Sequence, residues 1–374
     1  MSDLELGLVR SAGQSLLDLS FIRTLKQALD RDIYQGKAAN TIDNPQTQKM
    51  KYTSNALPTL ADVEFIYCPV LVVIGVSVNL LAIVILSRRN CGLSRCMTCY
   101  LVAMAVADFL VVISDVLLRW LMMYFPVSFL DITYVCCLIM VLIPATTMNS
   151  IWLTVAFTFD RFVAICCQKL KIKYCTEKTA VLIITTVSVL SYLESIPWYF
   201  KFQSKYIFNN LPWVCDIKSE YYTSIFWTLY GIFHRTLSPT LPFVIILVLN
   251  TLTVRYVLLA SKSRRRLQKE GEGEKNSDPE MVKRRKSIIL LFAISGSFII
   301  LWFPYCMCFL YERIALLHDY SPLSPIAGTI GYLLQLLSTC TNTCLYTVTQ
   351  TQFREQLKAV VKFPFTLVLS SIKQ

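Results

Sequence analysis

SIWLTVAFTFDRF, Ser150 to Phe162, is apolar for most of its length and then ends on an acid and a base side by side, Asp160 and Arg161. Ionisable groups are expensive inside hydrocarbon, so the pair reads as the point where a buried helix reaches a polar boundary. The apolar block around it runs over 132–166, longer than the roughly 20 residues a helix needs to cross about 30 Å of bilayer. Six further blocks of spanning length stand at 62–87, 97–118, 179–200, 221–257, 287–311 and 322–347. The whole chain of 374 residues is 55% hydrophobic and 16% charged, against roughly 25% charged in soluble domains. The expected fold is an all-α membrane protein, a seven-transmembrane helix bundle over 62–347. A tail precedes it at 1–61, and 348–374 holds a short interfacial helix and a second tail. Pro144, Pro242 and Pro304 fall in mid-block, where a membrane helix tolerates proline and bends at it.

The formal net charge of +12 is explained by where the charges sit. Lys and Arg gather after blocks one, three and five: Arg88, Arg89 and Arg95; Lys169, Lys171, Lys173 and Lys178; Arg264–Arg266 and Lys283–Lys286. Connections after blocks two, four and six are far poorer in them. The positive-inside rule then puts the N-terminus outside and the C-terminus inside, and a nucleic-acid partner is not needed. The implied partner is the lipid bilayer of the plasma membrane. Residues 1–20 lack a basic leader with an apolar run, so the first span is expected to direct insertion. Leu16 to Tyr34 has helical periodicity, with an irregular tail as the alternative. No Asn-x-Ser/Thr sequon occurs. The 14 cysteines lie largely in apolar blocks, as at Cys99, Cys306, Cys308, Cys340 and Cys344, and with two histidines in the chain they give no zinc pattern. Residues 261–286, rich in Lys, Arg and Glu with Gly271 and Gly273, read as a flexible loop. In 350–362, Phe353, Leu357, Val360 and Val361 share a helical face, with Arg354, Lys358 and Lys362 interspersed, as in a helix lying at the interface.

Polar groups within the spans need a reason: Asn79 in GVSVNLLAIVIL, Asp108 in LVAMAVADFL, Ser150, Trp302, and Asn342 in NTCLY. Their order and spacing resemble the rhodopsin-like G-protein-coupled receptors over about residues 62–362. Asp108 is similar to the family's Leu-x-x-x-Asp signature, Asp160-Arg161-Phe162 to Asp-Arg-Tyr, Phe298 and LWFP (Leu301 to Pro304) to the sixth-helix Phe and Cys-Trp-x-Pro, and NTCLY to Asn-Pro-x-x-Tyr. There are departures. Thr343 replaces the motif proline, Val187 a tryptophan in block four, and Asn250 a tyrosine in block five. Arg284 takes a position where relatives place an acid facing Arg161, which points to raised basal signalling. SIWLTVAFTFDRF, SIPWY (Ser195 to Tyr199), FVIILVLNTLTV and NTCLY are similar to the orphan receptors 139 and 142.

The resemblance implies a receptor that binds an extracellular small molecule or peptide and activates a heterotrimeric G protein, of Gq type on the 139/142 likeness. No enzymatic activity and no cofactor are expected. Asp160, Arg161, Asn342 and Tyr346 would form the G-protein switch. Asn79, Asp108, Ser150, Ser338 and Asn342 would form a polar site that the family uses for sodium, with a purely structural network as the alternative. Cys136 and Cys215 would form a disulfide, with Cys137 as the alternative partner. Helical phase relative to the motifs places Ile143, Thr147, Met148, His234, Arg235, Ser238, Trp302, Tyr305 and Tyr332 around a ligand cavity. No acid stands at Ile143, which disfavours a biogenic amine. The 139/142 group carries an acid at the Ile143 position and an arginine at the Tyr305 position, and both are missing here. That favours a less charged, aromatic-containing ligand or a peptide, held partly by His234. Arg235 is either a carboxylate anchor or a side chain that snorkels or packs on a neighbour. A transporter or channel is the competing class, but neither an internal repeat nor a charge relay supports it. Block seven has no lysine for a retinal Schiff base. His234 and His318 are far apart, with no nucleophile motif beside them.

Overall fold

The computed structural model describes residues 58–88, 91–125, 129–270, 279–318 and 324–360. The tail before Pro58, including Leu16–Tyr34, and the stretch from 361 onward, including Val361 and Lys362, lie outside them. Seven long helices follow one another: α1 Pro58–Ser87, α2 Arg95–Tyr124, α3 Thr133–Cys166, α4 Glu177–Lys201, α5 Ile225–Lys262, α6 Pro279–His318 and α7 Pro325–Thr349. The first six contain windows apolar enough to cross a membrane on hydropathy alone. The seventh is long enough at 25 residues, but Gln335, Thr339, Asn342 and Thr343 interrupt it. All four are buried, because α7 turns them into the bundle. The fold is an all-α, multi-span membrane bundle of seven helices.

Local chemistry sets several boundaries. Ser94 caps α2 by accepting from the Met97 amide at 3.3 Å, and Thr176 caps α4 by accepting from Thr179 at 3.2 Å. Each satisfies a donor that the first turn cannot. Helix α2 runs six residues past the apolar block, because Arg119 pairs with Asp115 one turn earlier at 3.3 Å. A wider π-turn over Val112–Leu118 carries that acid. The break in α5 lies at Thr236–Thr240 around Pro239, where Ser238 leaves helical geometry, and not at Pro242. Helix α6 extends eight residues beyond its apolar block on the side bearing Arg161. A further short helix, α8, occupies 351–360. Its Phe353 is fully buried against Tyr346, ring centroids 5.8 Å apart.

Between α4 and α5 the chain forms an antiparallel hairpin, β1 Phe202–Phe208 and β2 Leu211–Ile217, the two strands found among the described residues. Asn209 and Asn210 both take positive φ, +48° and +61°, which is what a two-residue turn between twisted strands demands. Cys215 of β2 is disulfide-bonded to Cys136 of α3, Cα to Cα 5.8 Å. Cys137 is buried and unbonded. Thr133 Oγ1 donates to the Val214 carbonyl at 3.4 Å. The hairpin therefore sits on the start of α3, opposite the Arg161 end.

The core has three stations along the bundle. At the Arg161 end, Tyr100, Phe157, Tyr346 and Phe353 lead a large cluster. Trp302, Phe298 and Ile246 form the second. Leu71, Val116 and Leu336 form the third, with Tyr332 and Trp120 packed on it. The pairs α1–α2, α2–α3, α3–α4 and α6–α7 are extensively packed. Gly331 permits the last approach, since a Cβ there would stand 3.1 Å from the Tyr305 backbone.

Candidate functional site

At mid-bundle, Asp108 is 2% exposed. A carboxylate buried that deeply is unfavourable by several kcal/mol unless it is hydrogen-bonded. Ser150 Oγ donates to it at 2.5 Å and Asn342 Nδ2 at 2.7 Å, joining α2, α3 and α7. A small cavity opens beside the acid, lined also by Thr154, Ser297, Phe298, Trp302 and Ser338. Ser338 accepts from Trp302 Nε1 at 3.1 Å and donates to the Gln335 carbonyl at 2.6 Å. Asn79 is not bonded to Asp108. Its amide donates to the Gly75 and Thr339 carbonyls at 2.9 Å each, fastening α1 to α7. One carboxylate with the hydroxyls of Ser150, Thr154 and Ser338 around a small cavity is the donor chemistry of a hard monovalent cation, so these residues fit the family's sodium ion.

At the basic end of α3, Asp160 is fully buried and Arg161 is 4% exposed. Arg161 Nε donates to Asp160 at 2.9 Å, and Nη2 bonds the same oxygen. Cys96 Sγ donates to the other carboxylate oxygen at 3.2 Å. Cys175, on the adjoining loop, donates to the Asp160 backbone carbonyl at 3.7 Å. Burial, aided by the neighbouring acid, pushes the Cys175 thiol up to about 12, which keeps it a donor. Arg161 Nη1 reaches across to Ser287 Oγ of α6 at 3.5 Å. Tyr346 is buried with its hydroxyl unpartnered. The side chain of Arg284 lies outside the described residues.

The departures from the family motifs have local partners. Thr343 Oγ1 donates to the Val78 carbonyl at 3.0 Å, joining α7 to α1. Asn250 accepts from Ser295 at 2.9 Å, joining α5 to α6. Val187 packs on the large cluster.

Toward the hairpin end, the expected cavity residues divide. Trp302 and Tyr305 meet edge to face at 6.0 Å. Met148 is buried, Ile143 half-buried, and Thr147 Oγ1 is buried without a partner. Tyr332 donates to Asp115 at 2.9 Å and accepts from Arg119 Nη1 at 3.1 Å, with the guanidinium 4.8 Å from its ring centre. Asp115 is 4% exposed while the Arg119 side chain is 43% exposed. His234 faces α4: its Nδ1 lies 2.9 Å from Glu194, and its ring stands edge-on to Trp198 at 5.3 Å. Tyr230 donates to the Glu194 carbonyl at 2.5 Å. Arg235 is exposed, with its guanidinium 5.7 Å from the Phe309 ring. Ser238 sits at the α5 break.

Asp115, Arg119 and Glu194 are absent from the residues singled out in the sequence, whereas Ser287 closes the run Arg284–Lys286, which reads as a basic-directed kinase consensus. The first two carried a signal: an acid and a base four apart inside an apolar block. Glu194 is likewise an acid within a span. Nothing local marks Ser287 as facing Arg161.

The sequence model of the family described as 7 transmembrane receptor (rhodopsin family) matches residues 78–346. The chain is also similar to the sex peptide receptor of Drosophila melanogaster, 23% identical over 260 residues, which is 64% of this chain. The match spans 58% of that relative's length. The family's members are receptors and not enzymes. With the family match covering most of the chain, from Asn79 through Asp108 and Arg161 to Tyr346, this protein belongs to the rhodopsin family of seven-transmembrane receptors.

Proposed function

We propose that the chain is a plasma-membrane receptor, N-terminus outside, that answers an extracellular ligand by activating a heterotrimeric G protein. The observation that carries this reading is the clasp at Arg161. A buried cation on α3 is held by its neighbour and by a weak contact to α6, at the end of the bundle where the basic connections lie. Such an element has two arrangements, closed or released, and a ligand binding one of them better shifts the population. The basic segments would steer an acidic partner surface. The likeness to the orphan receptors 139 and 142 favours Gq-type coupling. Guanine-nucleotide exchange on each G-protein class, in cells with verified surface receptor and under a peptide library, is the test. Absence of exchange on every class, with and without peptides, would sink the reading. An N-terminal epitope tag should be stained on intact cells, and staining only after permeabilisation would reverse the proposed orientation.

The cation site at Asp108 is part of the same proposal. Sodium there would bind Asp108, Ser150 and Ser338, and would favour whichever helix arrangement keeps those oxygens together. The ligand we infer is a peptide or a weakly charged aromatic molecule. The sex peptide receptor is named for a peptide, and the cavity side carries Trp302, Tyr305 and Tyr332 rather than an acid at Ile143. His234 and Glu194 would act on it through the α4–α5 seam, and Arg119 would present its outer donors toward the opening. With an agonist in hand, Tyr332→Phe should lower potency about tenfold, the order expected for losing hydrogen bonds to charged groups. Alanine at His234, Tyr305 and Tyr332 should each lower it at normal surface level. Unchanged potency in all three would refute the pocket.

A further inference from the structure

We propose that Ser287 is a phosphorylation site, and that its phosphate clamps Arg161 and so holds α6 against α3 in the silent arrangement. The inference rests on the reading of Arg161 as the G-protein-facing switch. It joins one observation that the proposed function does not use to one that it does. Ser287 follows Arg284, Arg285 and Lys286 directly, the basic run that a basic-directed serine kinase reads. Its hydroxyl also lies within reach of Arg161 Nη1, which ties α6 to α3.

The geometry leaves room for a stronger partner. Arg161 uses Nε and Nη2 on Asp160, while Nη1 has Ser287 at 3.5 Å, the long end of hydrogen bonding. A phosphoserine brings about −1.5 to −2 charges and three acceptor oxygens. It could take Nη1 without displacing Asp160, replacing a marginal contact by a charge-assisted one. Asp160 would repel the new anion. The net positive charge of the adjoining run, Lys283 to Lys286, opposes that repulsion as a long-range field. The phosphate would thus supply the anion on α6 that Arg284 denies the unmodified chain.

Order of events follows from access. Ser287 is half-buried in a helix, and its Oγ must line up with the γ-phosphorus of ATP. The inner turns of α6 must therefore leave α3 first. In the transfer, Oγ forms a bond to the γ-phosphorus, the bond from that phosphorus to the bridging oxygen breaks, ADP departs, and the hydroxyl proton passes to the kinase's base. The open receptor is then the substrate and the closed one the outcome, which makes the device a brake on prolonged signalling.

Purified full-length receptor, incubated with ATP and the catalytic subunit of a basic-directed serine kinase, should carry phosphate at Ser287 by peptide mapping. Arg161→Ala, which frees the hydroxyl, should be modified about fivefold faster, the low end of ordinary coupling between sites. Phosphorylation should slow hydrogen exchange in 279–290. In cells, Ser287→Asp should lower nucleotide exchange about tenfold relative to the neutral Ser287→Asn at equal surface level. No phosphate on Ser287, unchanged exchange after modification, or equal signalling by the Asp and Asn variants would overturn the proposal. The mapping and exchange measurements need no G protein. If the unmodified receptor fails to activate any G protein while Ser287 is modified and α6 tightens, the coupling reading falls and the clamp stands.

Discussion

Arg161→Ala is expected to abolish G-protein activation while leaving a substantial fraction of the receptor at the cell surface. The side chain is 4% exposed and its partner Asp160 is fully buried. Truncation therefore acts on stability as well as coupling. Stripping one member from a buried ion pair is unfavourable by about 3–5 kcal/mol when the other charge is left alone. Here Asp160 keeps the Cys96 thiol at 3.2 Å, which moderates the loss. Two further variants separate the effects. Arg161→Lys keeps the cation but loses the planar fork that bonds Asp160 through Nε and Nη2 and Ser287 through Nη1. It should fold well and still signal poorly. Asp160→Asn keeps the shape and removes the charge that holds Arg161 in place, so basal nucleotide exchange should rise severalfold. Both readings require nucleotide exchange at matched surface level. Wild-type signalling by Arg161→Ala at equal surface density would remove Arg161 from the mechanism, and an unchanged basal level in Asp160→Asn would remove the clasp.

The fold was readable because the bilayer imposes one rule on every span: apolar, helical and about 20 residues long. The rule weakens where side chains satisfy one another. Block two stopped at residue 118 on hydropathy because Arg119 follows, but Asp115 neutralises that arginine and the helix continues to Tyr124. The β-hairpin escaped because Asn209-Asn210 is a turn signal inside a stretch that is neither long nor strongly alternating. Within the site, the mid-bundle residues were legible as polar side chains out of place. Asp108, Ser150 and Asn342 converge, while Asn79 serves α1–α7 packing instead. Helical phase could put Tyr332 and His234 at the right depth. It could not show that Tyr332 is tied to Asp115 and Arg119 or that His234 turns to Glu194. Those are contacts between spans, and a periodicity argument works on one helix at a time.

Loss of the Cys136–Cys215 bond should have the second large effect, this time on folding and ligand response. The bond closes 79 residues of sequence, for which the chain-entropy account gives about 4.5 kcal/mol. The enclosed α4 is already restrained by the bilayer and by α3, so that figure is an upper bound. Other attachments among the described residues include the Thr133–Val214 hydrogen bond and the bridge between Ile132 and Trp213, but the disulfide is the covalent tie. Val214, next to the bonded cysteine, holds φ +56°, a conformation a β-branched residue seldom adopts without outside restraint. Cut loose, β2 should relax there and the hairpin should lift from the mouth of the bundle. Cys215→Ser should therefore reduce surface expression severalfold and weaken any agonist further than expression explains. Cys136→Ser should do the same. Cys137→Ser should do neither, because successive residues on a helix point about 100° apart and Cys137 is buried as a free thiol. Brief reduction of intact cells should reproduce the loss of agonist response without changing the amount of receptor. Non-reducing peptide mapping decides the pairing, and a free thiol at Cys215 or a Cys137–Cys215 peptide would overturn it.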